Sequence, residues 1–572
     1  MVSFGKAMRD AHFSFAASYV PLNHGSFGTF PNTVRHYQRS LQSETEARPD
    51  TYIRFTYPKL LLQARSAVAP LLGADAEEVV FVPNALTGIN TVLRNLVYVE
   101  DDVILHFNTI YGGCLKTIRS LEETTPVRGY DIDLDYPIED DDILRKVNAA
   151  LLAIHQQGRR VVLAVFDTVL TFPGVRLPWE SLVQLFKQRG IMTCIDAAHG
   201  IGHIDLTHLA QVGPDFVITN CYKWLMVPRG CAVLYVPRRN HHLIKTSYPT
   251  DGPYLPEADR KKLSPTQYFG HLFSYVSTID TSPYICVLEA LKFRKEICGG
   301  EERVRAYCAG LAKQGGELMA TLMGTEVLKS ATGTLQDCCF TNVRLPLEIE
   351  QDGEEAVPRQ GSGISHGNAD AVANWITERS VNEFDTYIAV RHYGGAFWTR
   401  LSGQIYLEKA DFAWAAGVLL ELFEIGLTET YDMLGQANGL GELAHDPDDD
   451  WRDPDTNMHG GRVALPSFNR RGASEACLVL TSGATRRPMQ RSTTQCLCFA
   501  LPIIVPESSV LPHFPRADAA PGERDRVSLG VVDRYSAEGS GPVVHSKLRL
   551  HVAAWKRLAR LEGEEQTGRK AL

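Results

Sequence analysis

The chain has 572 residues, 44% of them hydrophobic and 22% charged, with a formal net charge of −9 from 58 basic and 67 acidic residues. That length exceeds one ordinary domain, and the composition is that of a globular chain rather than a disordered, collagen-like or coiled-coil one. The mild acidic excess offers no basic face for nucleic acid, and no run approaches the ~18 apolar residues of a membrane span. The opening Met1 to Asp10 lacks the apolar core of a secretory signal. Twelve irregularly spaced cysteines suit neither a disulfide scaffold nor a zinc site, since neither Cys338-Cys339 nor Cys496-x-Cys498 has a matching second pair. A cytosolic protein with reduced thiols is expected, with no metal, no nucleic-acid partner and no membrane partner.

Between residues 78 and 240, short β-branched apolar runs recur: Val79 to Val82, Val103 to Leu105, Val161 to Phe166, Met192 to Ile195, Phe216 to Ile218 and Ala232 to Val236. Amphipathic stretches such as Trp179 to Arg189 separate several of them. This alternation predicts an α/β fold with a mostly parallel sheet covered on both faces, and such sheets bind ligands beyond the carboxyl ends of their strands. A helix over Pro283 to Ile297 leads toward a smaller region, 300–430, that mixes helices with strands at Cys339 to Leu345 and Tyr387 to Arg391. The segment 347–372, rich in Glu, Gly, Ser and Gln, reads as a surface insertion. From 432 to 572 sustained periodicity is lost, and the composition predicts a largely disordered extension with one short helix near Lys547 to Leu561. No solenoid-type repeat is found.

Two of these runs end in chemistry. Met192 to Ile195 is followed by Asp196-Ala-Ala-His199-Gly, and Phe216 to Ile218 by Thr-Asn-Cys-Tyr222-Lys223-Trp. The acid and the lysine lie one strand–helix–strand unit apart. A lysine in so apolar and aromatic a setting is a candidate Schiff-base residue, although the pair alone reads more readily as an ordinary strand-end lysine beside an acid.

The wider sequence is more specific. Leu22-Asn-His-Gly-Ser-Phe-Gly-Thr29, Glu46-Ala-Arg-Pro49, Asn84-Ala-Leu-Thr-Gly-Ile-Asn90, Thr109-Ile-Tyr-Gly-Gly-Cys114, Asp196-Ala-Ala-His-Gly200, Asn220-Cys-Tyr-Lys-Trp224, Thr278-Ile-Asp-Thr-Ser-Pro283 and Phe397-Trp-Thr-Arg-Leu-Ser402 occur in that order. Together they resemble the class V, cysteine-desulfurase-like aminotransferases of fold type I, and within them the isopenicillin-N-epimerase-like proteins and the fungal hercynylcysteine sulfoxide lyases of ergothioneine synthesis. The resemblance covers about residues 20 to 430 and leaves the tail out.

The resemblance implies pyridoxal 5'-phosphate as cofactor. It also implies an N-terminal segment, 1–30, over the active site, a large domain at 31–290 with a seven-stranded-type sheet, a small α+β domain at 291–431 and a homodimer. By the same resemblance Lys223 would carry the cofactor and move the substrate's α-proton, and Asp196 would pair with the pyridinium nitrogen. His199 would lie beside the phenolic oxygen, unless it is a structural histidine. Tyr111 would stack on the ring and serve as a proton donor, unless it is core. Asn84, Ala85, Leu86 and Thr87 open a helix and would receive the phosphate, with Tyr222 beside the lysine and Thr278 reaching the neighbouring subunit's phosphate. Arg400 would grip the α-carboxylate of an amino-acid substrate, unless it is a surface arginine, and His24 and Gly25 would cover the substrate site.

Departures from the family pattern are Leu86 for a polar residue, Leu170-Thr171 for a serine pair and Tyr222 for the usual histidine. No cysteine occurs in 340–399, where a desulfurase needs its nucleophile. C–S lyase chemistry on a cysteine-derived sulfoxide is therefore expected. Epimerase, aminotransferase or cyclase activity, and a cofactor-free scaffold, remain the alternatives.

Overall fold

The computed structural model describes residues 3–433 apart from 249, 350–363 and 365, with side chains as far as 423. The expected terminal helix near Lys547, and the extension from residue 434 onward, lie outside the described residues.

Seven strands build the main sheet: β1 (Val79–Val82), β2 (Asp102–Phe107), β3 (Arg128–Ile132), β4 (Arg160–Asp167), β5 (Met192–Asp196), β6 (Phe216–Asn220) and β7 (Ala232–Tyr235). Their order is β1-β7-β6-β5-β4-β2-β3. Only β7 runs against the rest, antiparallel to both β1 and β6. Strands β1 to β6 therefore all end on one edge.

Successive side chains leave a strand on opposite faces. One face sends Val80, Val82, Leu163, Val165, Phe216 and Ile218 against α1 (Ala85–Asn95) and α2 (Gly112–Thr124). The other sends Ala164 and Phe166 toward α3 (Asp140–Gln156) and α4 (Trp179–Lys187), where Phe166 meets Phe186, and stacks Phe81 on Tyr284. The central strands are buried on both faces, which is why they read as continuous apolar runs. β3 was not foreseen: it is an edge strand whose residues are mostly exposed or half-buried, so it lacks the apolar signature.

Beyond α5 (Val287–Glu296) and α6 (Glu301–Met323), a second sheet forms in the order β8-β10-β9. It comprises β8 (Phe340–Arg344), β9 (Ala389–Tyr393) and β10 (Ala396–Ser402), all antiparallel, with α7 (Ala369–Phe384) on β9 and α8 (Lys409–Met433) on α6.

The structure departs from the sequence expectation at three places. The helix expected over Pro283 to Ile297 is two pieces, Ser282–Ile285 and Val287–Glu296, meeting at Cys286. The strand expected over Tyr387 to Arg391 begins at Ala389, because pairing with β10 sets its register. Most of the expected insertion 347–372 lies outside the described residues, and its end belongs to α7, whose buried face of Ala369, Ala373 and Ile376 starts inside that range. Among the described residues, no helix is long and apolar enough to cross a membrane.

Candidate active site

The strand ends that share one edge carry a set of buried polar and charged side chains. Asp167 closes β4 and Asp196 closes β5, and the parallel register places them side by side. Asn220 closes β6, and its Oδ1 accepts the Ala85 N–H at 2.9 Å, tying that edge to the start of α1. Asn84 caps the same helix, its Oδ1 accepting the Thr87 N–H at 2.8 Å. With Ala85 and Thr87 engaged, the Leu86 N–H is the first-turn donor left to meet an anion there.

Leu86 itself points toward α2. A Cβ on Gly113 would stand 3.1 Å from Leu86 and from the Tyr111 ring, so this glycine lets those two side chains meet. Tyr111 stands at the N-cap of α2.

Asp196 is 2% exposed, and one carboxylate oxygen accepts the Ala198 N–H at 2.9 Å. The other accepts the Cys114 thiol at 3.4 Å. Burial raises the pKa of Asp196 against the lowering effects of these two donors and of Lys223. Burial, and then the charge of Asp196, push Asp167 well above the usual carboxylate range. The two carboxyls make one buried acidic pair facing the lysine.

Lys223, 7% exposed, lies in a helical turn at Cys221–Trp224 immediately after β6. Its Nζ is 3.2 Å from His199 Nε2, and the Trp224 indole N–H donates to His199 Nδ1 at 3.2 Å. Thr171 Oγ1 stands 3.5 Å from the same Nε2. Burial and then the charge of Lys223 hold His199 well below the ordinary histidine pKa, so the ring is neutral. His203, which carried no sequence signal, stacks on Trp224 at 3.9 Å between ring centroids, and its Nε2 accepts the Cys339 N–H at 2.6 Å.

The N-terminal segment folds directly over this turn. His24 Nε2 bonds the Lys223 carbonyl at 2.6 Å. A carbonyl only accepts, so Nε2 carries the proton and Nδ1 accepts the Tyr406 hydroxyl, also at 2.6 Å. Burial brings the His24 pKa down to about 4. The Gly25 N–H donates to Ser402 Oγ at 3.1 Å. Gly28, at φ +63°, lies so close that a Cβ there would stand 1.9 Å from the Tyr222 carbonyl oxygen.

Arg400, on β10, is 5% exposed. Its Nη2 donates to Asn23 Oδ1 at 2.8 Å and Ser26 Oγ at 2.9 Å, and its Nη1 donates to the Thr171 carbonyl. The guanidinium lies over the Phe340 ring at 4.8 Å. Asn342 on β8 bonds both the N–H and the carbonyl of Gly174, at 2.8 and 2.9 Å, fixing the loop that contains Thr171.

The sequence-predicted residues Asp196, His199, Lys223, His24, Gly25 and Arg400 thus come together on one network, with Asn84, Ala85, Leu86, Thr87 and Tyr111 along the neighbouring edge. Thr278 does not join them: it is exposed, and its hydroxyl bonds Tyr275 at 2.9 Å. Asn23, Ser26, Trp224 and Phe340 were not singled out. The first three lie inside quoted motifs, whereas Phe340 carried no signal at all.

A model of the aminotransferase class-V family matches residues 36–268. The L-cysteine desulfhydrase-like protein lolT1 of Epichloe uncinata is 34% identical over 441 residues, covering 74% of this chain and 96% of that protein. The chain belongs to the class V aminotransferase family. The hercynylcysteine sulfoxide lyase of Schizosaccharomyces pombe is 32% identical over 418 residues, 73% of this chain and 97% of that protein. Among solved structures, the cystine C–S lyase C-DES in complex with cysteine persulfide superimposes with a TM-score of 0.53 at 14% identity, over 70% of this chain and 97% of that one, a likeness of fold.

A member of this family is an enzyme that uses pyridoxal phosphate, and the donor set here fits that group. A buried primary amine, a buried carboxylate one strand away and a capped helix N-terminus stand on a single sheet edge. Leu86 and the fully buried Leu170 are apolar, so the polar groups at the start of α1 are the Asn84 cap, Thr87 and the backbone N–H groups.

Proposed function

We propose that the chain cleaves the C–S bond of a cysteine-derived amino acid, with the sulfoxide of a cysteine thioether as the favoured substrate. What carries the reading is the likeness, over about three quarters of this chain and nearly the whole of each relative, to proteins named as an L-cysteine desulfhydrase-like protein and a hercynylcysteine sulfoxide lyase, joined to this site. The cysteine chemistry agrees: among the described residues every free cysteine is buried, and burial raises the Cys338 and Cys339 thiols. No described thiolate stands ready to take sulfur as a persulfide.

When bound, pyridoxal phosphate supplies a ring that accepts the electron pair left by ionisation at the substrate α-carbon. The protein does the rest. Lys223 Nζ would hold the cofactor and then take the substrate α-proton, and Asp196 would keep a proton on the ring nitrogen. His199 would serve the phenolic oxygen, Tyr111 would stack on the ring and could donate a proton, and Asn84 to Thr87 would receive the phosphate, with Tyr222 beside the lysine. Arg400 receives the α-carboxylate as a bidentate donor. His24 and Gly25, pinned to the Lys223 turn and to Ser402, exclude water above it. Loss of the sulfur leaving group from the β-carbon leaves an enamine that hydrolyses to pyruvate and ammonia.

The reading extends to a homodimer in the cytosol. Exposed Phe27 and Ile279, both 47% accessible, flank the segments that bear His24 and Thr278, as expected where Thr278 serves a neighbouring subunit. The wholly unpaired described cysteines agree with a reducing compartment.

Incubating the purified protein with S-alkyl-cysteine sulfoxides should release pyruvate and ammonia in equal amounts, and Lys223→Ala should abolish both. Formation of the D-amino acid or of the intact keto acid instead would replace lyase with epimerase or aminotransferase. Sedimentation showing an active monomer would remove the dimer.

A further inference from the structure

We propose that the Trp224 indole is a positioning residue that selects the tautomer of His199, making Nε2–H a fixed donor toward Lys223 and the cofactor's phenolic oxygen. The argument rests on which groups can donate. An indole N–H only donates, so at 3.2 Å His199 Nδ1 must be the acceptor. A neutral imidazole then carries its one proton on Nε2. That nitrogen faces Lys223 Nζ at 3.2 Å and Thr171 Oγ1 at 3.5 Å. An ammonium has no lone pair to accept with, so this tautomer suits Lys223 as a neutral amine or as an imine, the two states the chemistry needs.

The indole is itself held. His203 stacks on one face at 3.9 Å, Phe340 meets it edge-on at 5.3 Å, and Arg294 donates to the Trp224 carbonyl at 2.9 Å. Burial first, and then the positive charges of Lys223, whenever it is protonated, and of Arg400 keep the His199 ring neutral, while the neighbouring His203 and His24 are held neutral by their own burial. The acidic pair Asp167 and Asp196 faces Lys223, the amine on which the donor acts. The lone variable is thus which nitrogen bears the proton, and Trp224 touches that choice directly.

The proposal rests on Lys223 as the cofactor lysine, and a test can separate the two. In the holoenzyme, the pH at which the visible cofactor band loses its lysine-imine proton reads the balance around that nitrogen. A fixed Nε2–H donor stabilises the phenolate and disfavours the protonated imine. Without the indole N–H the ring is free to place its proton on Nδ1 and turn a lone pair toward Lys223, which favours the protonated imine. Replacing Trp224 by benzothienylalanine, which keeps the bicyclic shape and lacks the N–H, should raise the midpoint by about one pH unit. Trp224→Phe should do the same, and neither change should add to the midpoint of a His199→Phe background.

An unchanged midpoint in the benzothienylalanine enzyme, or an equal rise in the His199→Phe background, overturns the proposal. Should Trp224→Phe fail to hold cofactor, the benzothienylalanine enzyme decides alone. ¹⁵N spectra of labelled histidine should independently show His199 protonated at Nε2 in the native enzyme, and protonation at Nδ1 there overturns the proposal. A native protein with no visible band, or one whose band survives Lys223→Ala, refutes the lysine assignment instead.

Discussion

Arg400 shows how one side chain joins three parts of the chain. Its guanidinium reaches the N-terminal Asn23 and Ser26, the loop carbonyl of Thr171 and the face of Phe340. Charge-assisted hydrogen bonds of this kind contribute about 1.5–3 kcal/mol each. Arg400→Ala should lower kcat/KM roughly 10- to 100-fold, mostly through KM, with Arg400→Lys between the two because a point charge cannot bind both carboxylate oxygens in plane. Equal KM in wild type and Arg400→Ala would show that the carboxylate is held elsewhere. The site's histidines set a pH dependence. Burial holds His24 down to about 4 and His203 to about 3, so both are neutral in the folded chain while an unfolded histidine protonates near 6.5. Their contribution is complete above that value and is lost as pH falls toward 4, roughly 3 kcal/mol for His24 across the window. Asp167 and Asp196, raised by burial, work in the opposite sense. The informative quantity is therefore the difference between variants: His24→Gln should flatten the fall in Tm between pH 7 and 4.5, and an unchanged slope would contradict this.

At the scale of elements, the site depends on how the turn after β6 is anchored. Arg294 on α5 is fully buried and donates to the Trp224 carbonyl at 2.9 Å and the Gly202 carbonyl at 3.2 Å, while Glu301 takes its Nε and Nη2 at 2.5 and 2.6 Å. Arg294→Ala would strand a largely buried carboxylate and two carbonyls, at a cost of about 3–5 kcal/mol in urea unfolding; a loss under about 1 kcal/mol would mean water replaces the guanidinium. The sequence concealed this clamp because Arg294 and Trp224 lie far apart in the chain and neither looks unusual alone. The same reason hid Phe340, which meets Arg400, His199 and Trp224 only once β8 pairs with β10. What could be read was local: β1, β2 and β4 to β7 are buried on both faces and announce themselves as apolar runs, and the residues following their ends are the chemical ones. β3 could not be read, since Arg128–Ile132 is a half-exposed edge, and β10 was visible only as the Phe397 to Ser402 motif. Its alternation is masked because all seven of its residues are buried.

At the scale of the whole molecule, the likeness to lolT1 occupies about three quarters of the chain. The alignment with lolT1 spans 96% of that protein and 74% of this one, so a relative lacking most of the remaining length retains the same family architecture. The described network closes on itself before the extension begins: Arg400, Ser402 and Tyr406 meet the N-terminal segment, and α8 then runs along α6 to Met433. The extension expected from the sequence, 432–572, has its first two residues in α8, and its sequence is rich in Pro, Gly, Ser, Arg and Asp. A chain ended at residue 435 keeps α8 whole. It should bind pyridoxal phosphate, keep kcat/KM within about twofold of the full chain and melt within roughly 2 °C of it, a difference below about 1 kcal/mol. Absorbance, pyruvate release and a melting curve measured on both lengths check this. Loss of cofactor, or precipitation of the short chain under conditions where the long one stays in solution, would assign the extension a structural part in the enzyme and move the domain boundary past residue 435.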